Sequence, residues 1–210
     1  MLNKAVTINN EGLLLEASLD LPENGQNPLP GVILCHPHPA YGGDMNNNVV
    51  MALSWTLTGL GIACLRYNSR GVGRSQGSYG GGEPELTDGR AALSFLLEQE
   101  EIDNNRLGFV GYSFGGGIAL PLGGESDWIK VIAAVSPVIP PGVLTDCTKP
   151  KMIIFGDRDS MIPSKQMKER SEEMSDPKII KVYPGLDHFW WGNEKTVATV
   201  IGEFLIEHIG

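Results

Sequence analysis

Cysteine is scarce in this chain: three in 210 residues, none of them in a CxxC pair. An odd count without paired spacing supports neither a disulfide framework, a zinc site nor a dithiol redox motif, and a reducing, cytoplasmic compartment is expected. Histidine is scarce too, with only His36, His38, His188 and His208. Basic residues are outnumbered 16 to 25, for a formal net charge of −9. Nucleic acid and anionic membranes are met by clustered lysine and arginine, so neither is an expected partner. No apolar run approaches the ~20 residues of a membrane span. The opening MLNKAVTINNEG lacks the apolar core of a signal peptide. No G-x-x-x-x-G-K-S/T phosphate loop occurs either.

What is present is an alternation of strand-like and helix-like segments, expected to form one domain over residues 1–210. VTIN and LLLEASLDL suit an antiparallel hairpin. GVILC, IACLRYN, RLGFVGY, KVIAAVSPV, KMIIFGD and IIKVYPG are mostly continuous apolar runs, as in parallel strands buried on both faces. Helical spacing marks residues 46–60, 86–99, 114–122, 163–174 and 195–209. Antiparallel strands followed by β-α repeats predict a mostly parallel, twisted sheet with helices on both faces. Cys35 and Cys64 fall inside apolar runs, where a thiol acts as a small hydrophobe. SQGSYGGGEPE, residues 75–85, reads as an exposed loop.

GFVGYSFGGGIAL, residues 108–120, surrounds one serine with five glycines. Such clustering means that the backbone needs conformations or clearances a side chain would forbid. Gly111-Tyr112-Ser113-Phe114-Gly115 is G-x-S-x-G between a strand and a helix, the context of a nucleophile elbow. A serine needs a base. His188, in the loop after the last strand candidate, lies at the sheet edge expected for one, whereas a cation at the end of the last helix suffices for His208. GDRDSMIP after the preceding strand offers Asp157 and Asp159. Asp159, further into the loop, is the better placed to orient His188, and Asp187 is expected to point elsewhere. The order Ser113, Asp159, His188 is that of α/β-hydrolases.

CHPHPAYGGDMNNN follows the first parallel strand, the position of the second oxyanion donor in such folds. Pro37 and Pro39 have no N–H. The N–H of Phe114 is therefore paired with that of His38, with Tyr41 as the alternative. His36-x-His38 near Asp44 could suggest a metal site, but too few histidines remain to complete one; no metal or cofactor is expected. His36 is expected to brace the turn, and Arg66 and Arg70 to anchor their loop.

LCHPHPAYGGDMNNNVV, LRYNSRGVGRSQGSY, VGYSFGG, GDRDSMIP and PGLDHFWWG together resemble the small lidless α/β-hydrolases of the HPHP type, related to dienelactone-hydrolase-like serine hydrolases. The resemblance runs from about Gly31 to the end. It implies an α/β-hydrolase fold with Ser113, Asp159 and His188 as the triad. Ser69 departs from it where an aromatic is common, and the elbow holds serine instead of the cysteine of dienelactone hydrolases, so lactone specificity does not carry over. PVIPPGVLTDCTKPK leaves no room for a helical cap. The expected activity is cleavage of small carboxylic esters, a small-molecule ester being the expected partner. Thioester or amide hydrolysis uses the same machinery, and a non-catalytic binding protein is the alternative from another class. Phe189, Trp190 and Trp191 are candidates to wall the substrate, or to pack the last loop.

Overall fold

Two residues with positive φ, Glu11 (51°) and Gly12 (95°), reverse the chain between β1 (Leu2–Asn10) and β2 (Leu13–Leu21), pairing Asn10 with Leu13. Positive φ at both positions matches the right-handed twist of the strands they join. The first strand begins four residues before VTIN, because pairing with β2 from Leu2 onward supplies order that its mostly exposed side chains do not. The computed structural model describes residues 1–24 and 28–210. After the hairpin come β3 (Leu29–Cys35), α1 (Asn48–Gly59), β4 (Ala63–Tyr67), α2 (Glu83–Leu97), β5 (Ile102–Tyr112) and α3 (Phe114–Glu125). β6 (Ile129–Val135), β7 (Lys151–Gly156), α4 (Ser164–Glu172), β8 (Lys178–Tyr183) and α5 (Glu194–Ile209) complete the order.

The eight strands form one sheet in the order β1-β2-β4-β3-β5-β6-β7-β8. β1, β2 and β4 pair antiparallel, and every pairing from β4 to β8 is parallel. This is the mostly parallel sheet, opened by antiparallel strands, that the sequence predicts. Period-2 alternation splits each central strand between two cores. Ile33, Phe109 and Ile132 face α2, α3 and α4, whereas Val32, Val110 and Val131 face α1 and α5. Continuous apolar runs are what strands covered on both sides require. Residues 136–150, between β6 and β7, contain no helix, so no cap covers the sheet's C-terminal edge. No helix among the described residues is long and apolar enough to cross a membrane.

Residues 75–85 are not all exposed loop. Glu83 opens α2, Pro84 sits in its first turn, and the carboxylate of Glu85 accepts the N–H of Gly82. The helix therefore starts three residues before its apolar periodicity does, from a glycine that shows no side-chain cap in the sequence. Ser75 is also buried, donating its hydroxyl to the carbonyl of Asn68 and accepting the N–H of Glu16. α3 continues to Glu125, carrying Pro121 inside it.

Beside the antiparallel strands, Arg66 on β4 and Asp20 on β2 form a buried pair, Nε to Oδ2 at 2.5 Å. Ser18, Ser54 and Asn3 also donate to that carboxylate, while Arg66 donates to the Met45 carbonyl and to Asn46. Burial alone would raise the pKa of Asp20; its hydrogen bonds outweigh that and hold it below 3.8. Arg70 is anchored likewise on Asp88. The expected anchoring roles of both arginines are met. Asp20→Asn is expected to cost roughly 3–5 kcal/mol, since it leaves a buried guanidinium without its countercharge. The Asp20 contribution is complete above its ordinary pKa and is lost as pH falls through the lower native one. Urea unfolding at pH 7 and at a pH below 3 checks both; an unchanged midpoint in the variant at pH 7 would refute the assignment.

Candidate active site

The glycines around Ser113 provide clearance. Gly111, Gly115 and Gly116 have no positive φ; the left-handed angle falls on Ser113 itself, at φ 55° and ψ −117°. Holding a serine there costs roughly 1–3 kcal/mol. A methyl at position 111 would strike the Gly115 carbonyl, one at 115 the Cys35 carbonyl, and one at 116 the Pro137 ring. The first turn of α3 thus lies directly against the C-terminal ends of β3 and β5, and Ser113 stands at that junction.

His188 and Asp159 converge on it from separate loops. His188 Nε2 lies 2.9 Å from Ser113 Oγ, and Nδ1 lies 2.7 Å from Asp159 Oδ2. The second oxygen of Asp159 accepts the N–H groups of Met161 and Ile162 at 2.9 and 2.8 Å. Burial pushes the Asp159 carboxyl up, but His188 and these two amides prevail, and its pKa is lowered. An ionised Asp159 accepts from Nδ1–H, which leaves Nε2 as the acceptor for the serine hydroxyl. Asp157 is engaged elsewhere, accepting the N–H of Gly185. Asp187 turns away and accepts the amides of Phe189 and Trp190.

That Asp187 turn corrects the reading of the aromatic run. Trp190 does not reach the cavity: it is 1% exposed, donates its indole N–H to Ser136 Oγ at 3.1 Å, and packs on Tyr183. Its neighbours Phe189 and Trp191 face outward and line the cavity. The main chain of the loop after β3 also decides between two expectations. The Tyr41 N–H is already donated to the His38 carbonyl at 3.1 Å, so Tyr41 is withdrawn as an oxyanion donor; its side chain stands on the rim, 75% exposed. The N–H groups of His38 and Phe114 make no hydrogen bond among the described residues.

His36 braces the loop, as expected: Nδ1–H donates to the Pro37 carbonyl at 2.7 Å, and Nε2 accepts the Ser69 N–H at 3.0 Å. Burial pushes its pKa down, consistent with a neutral ring. Cys35, buried, has its thiol pushed up to about 12. His208 packs against Phe204 at the end of α5. One contributor went unread in the sequence. Tyr112, inside the serine motif, donates its hydroxyl to the His188 carbonyl at 2.9 Å and lies under that ring. Its place immediately before the serine is the only signal it gives.

The cavity over Ser113 has a volume of about 480 Å³, and no carboxylate, lysine or arginine lines it. Val138, Met161 and Ile162 line it together with Phe114, Phe189 and Trp191.

Residues 11–141 match the X-Pro dipeptidyl-peptidase (S15 family) pattern. The chain belongs to this S15 family. A Rickettsia prowazekii protein of uncharacterised role is 34% identical to this S15-family chain over 188 residues, 84% of the chain and 79% of that protein. An α/β serine hydrolase homologue from Coxiella burnetii superposes with a TM-score of 0.87 at 30% identity, over 97% of both chains. A lidless α/β serine hydrolase from Xanthomonas campestris gives 0.86 at 26%, over 98% of this chain and 94% of that one. The S15-family member described here is accordingly a small lidless α/β-hydrolase.

Two glycines of α3 separate clearance from flexibility. Gly115→Ala is expected to destabilise by about 2–3 kcal/mol, because backbone must move to admit the methyl. Gly117→Ala meets only Val138 at 3.7 Å, and is expected to stabilise by up to ~1 kcal/mol through helix propensity. Denaturant midpoints of the two variants should move in opposite directions; parallel shifts would refute the steric account.

Proposed function

We propose that this protein hydrolyses small, neutral carboxylic esters through an acyl-enzyme on Ser113. The observation that carries the reading is the hydrogen-bond chain from Asp159 through His188 to Ser113, at 2.7 and 2.9 Å, opening on a cavity lined by no carboxylate, lysine or arginine. Ser113 Oγ attacks the ester carbonyl carbon while its proton passes to His188 Nε2. The carbonyl electron pair moves onto oxygen, which the N–H groups of Phe114 and His38 hold; one such donor is typically worth about 3–4 kcal/mol of barrier. Collapse expels the alcohol, which takes the proton from His188 and leaves the acyl group on serine. Water then attacks the acyl carbon, giving its proton to the same nitrogen; collapse breaks the bond to Ser113 Oγ, which takes that proton back from His188, and the free acid departs. Throughout, Asp159 keeps the ring in the tautomer this exchange needs and stabilises the imidazolium.

The substrate class follows from the wall. A dipeptidyl-peptidase must hold a free amino terminus, which calls for a carboxylate, and none lines this cavity. Phe189 and Trp191 instead offer aromatic surface to a short acyl or aromatic group. The three unpaired thiols fit a reducing cytoplasm, and the site works within one domain on a small-molecule ester.

A fluorophosphonate is expected to add its mass at Ser113, and Ser113→Ala to lose both the adduct and at least ~10³-fold in p-nitrophenyl acetate turnover. An unlabelled wild type that turns over no ester would sink the proposal. Esters of equal length bearing a terminal carboxylate should show kcat/KM at least ~10-fold below neutral ones, since the wall offers no countercharge; equal rates would contradict the substrate class.

A further inference from the structure

The glycine-rich stretch before α2 is a built support. Gly80 and Gly82 both donate their N–H groups to the fully buried carboxylate of Glu85, at 2.7 and 2.6 Å. Gly71, at φ 75°, closes the other side, where a methyl would press on the backbone of Ser78 and Tyr79. Between these fixed points Tyr79 is carried to the loop after β3. Its ring centre lies 4.9 Å from that of His38 and 5.9 Å from that of Phe114. Its hydroxyl lies 3.0 Å from His38 Nε2.

The other ring nitrogen settles the direction of that bond. His38 Nδ1 accepts the Ala40 N–H at 3.1 Å, so the neutral ring carries its proton on Nε2 and donates it to the Tyr79 oxygen. The same imidazole packs on Phe114 at 5.1 Å and on Tyr41 at 5.5 Å. His38 is thus held at both nitrogens and on its faces, while Pro37 and Pro39 restrict the backbone on either side of it. What remains uncommitted is its main-chain N–H. His38 and Phe114 form the cavity wall, whereas Tyr79 is absent from it, standing behind them and 41% exposed.

We propose that Tyr79 is a positioning residue: through its hydrogen bond to His38 Nε2 it fixes the His38 main-chain N–H that receives the oxyanion. This rests on the serine-hydrolase reading above. Tyr79 touches no reacting atom; it acts by holding the ring whose backbone does. A donor displaced by a fraction of an ångström weakens the transition state and leaves ground-state binding nearly untouched, so kcat should carry the effect.

The test is a double-mutant cycle of Tyr79→Phe and His38→Asn, read as kcat and KM for p-nitrophenyl acetate and as inhibition by a trifluoromethyl ketone, whose hemiketal oxygen mimics the oxyanion. Asparagine keeps an acceptor for the Ala40 N–H but is too short to reach Tyr79. Tyr79→Phe is expected to lower kcat about tenfold with KM within about twofold, and to weaken the ketone by the same factor, the scale of one hydrogen bond. The double variant should be no slower than His38→Asn alone. Wild-type kcat in Tyr79→Phe, a raised KM at unchanged kcat, or independent effects that multiply in the double variant would each overturn the assignment. Fluorophosphonate labelling of Ser113 in every variant keeps the two readings apart: labelling with an unchanged Tyr79→Phe refutes only the role of Tyr79, while an unlabelled wild type refutes both.

Discussion

Everything at the sheet's C-terminal edge depends on how closely α3 approaches β3 and β5. The first turn of α3 sits where no Cβ could, against the carbonyl of Cys35 on one side and the ring of Pro137 on the other. That approach has two consequences. It forces Ser113 into a left-handed conformation that raises its side chain above the sheet. It also brings the start of α3 beside the HPHP loop, so that the unpaired N–H groups of Phe114 and His38 belong to neighbouring segments. The placement of Ser113 and that of the two unpaired N–H groups are therefore two outcomes of one packing constraint.

The distribution of charge complements it. Asp159 and His188 aside, the buried ionic groups described above lie away from the cavity. Asp20 is matched by Arg66, Asp88 by Arg70, and Glu85 is occupied by two backbone amides. All three stabilise segments that adjoin the site, the loop after β3 and residues 66–85, without lining it. Asp159 is then the ionised group that acts on His188 across a short, buried contact. In such surroundings a nearby carboxylate acts on a forming imidazolium far more strongly than it would in water. A second carboxylate in the wall would dilute that specificity, and a lysine would compete for Asp159.

The parts of this design that follow local rules were legible. Strand-length apolar runs predict the parallel sheet, and Ser113, Asp159 and His188 could be picked out because each follows a strand, where the fold gathers residues at one edge. The choice of Asp159 over Asp157 rested on position in the loop, and the hydrogen bonds of both agree with it. Trp190 was misread because three consecutive aromatics in a loop carry no periodicity. Which one turns inward is decided by the Asp187 carboxylate gripping two successive amides. Tyr41 failed as a donor for a similar reason, since its amide closes a turn of the loop itself. Tyr79 and Glu85 were invisible because their partners are 41 residues away in one case and the backbone of a glycine loop in the other.

The missing cap gives the remaining step. Residues 136–150 pass from β6 to β7 without a helix, so the cavity opens to solvent above Ser113. An enzyme that must shield an acyl intermediate from water needs closure. One that consumes it with water gains from an open site, provided that the donors and the base are rigid without a substrate to order them. Rigidity here comes from below and from the sides: Tyr112 under His188, two amides on Asp159, Pro37 and Pro39 around His38, and the Glu85-bound loop behind it. The same supports that make a lid unnecessary for assembling the site leave nothing to exclude the second nucleophile, and hydrolysis is the outcome that architecture favours over acyl transfer.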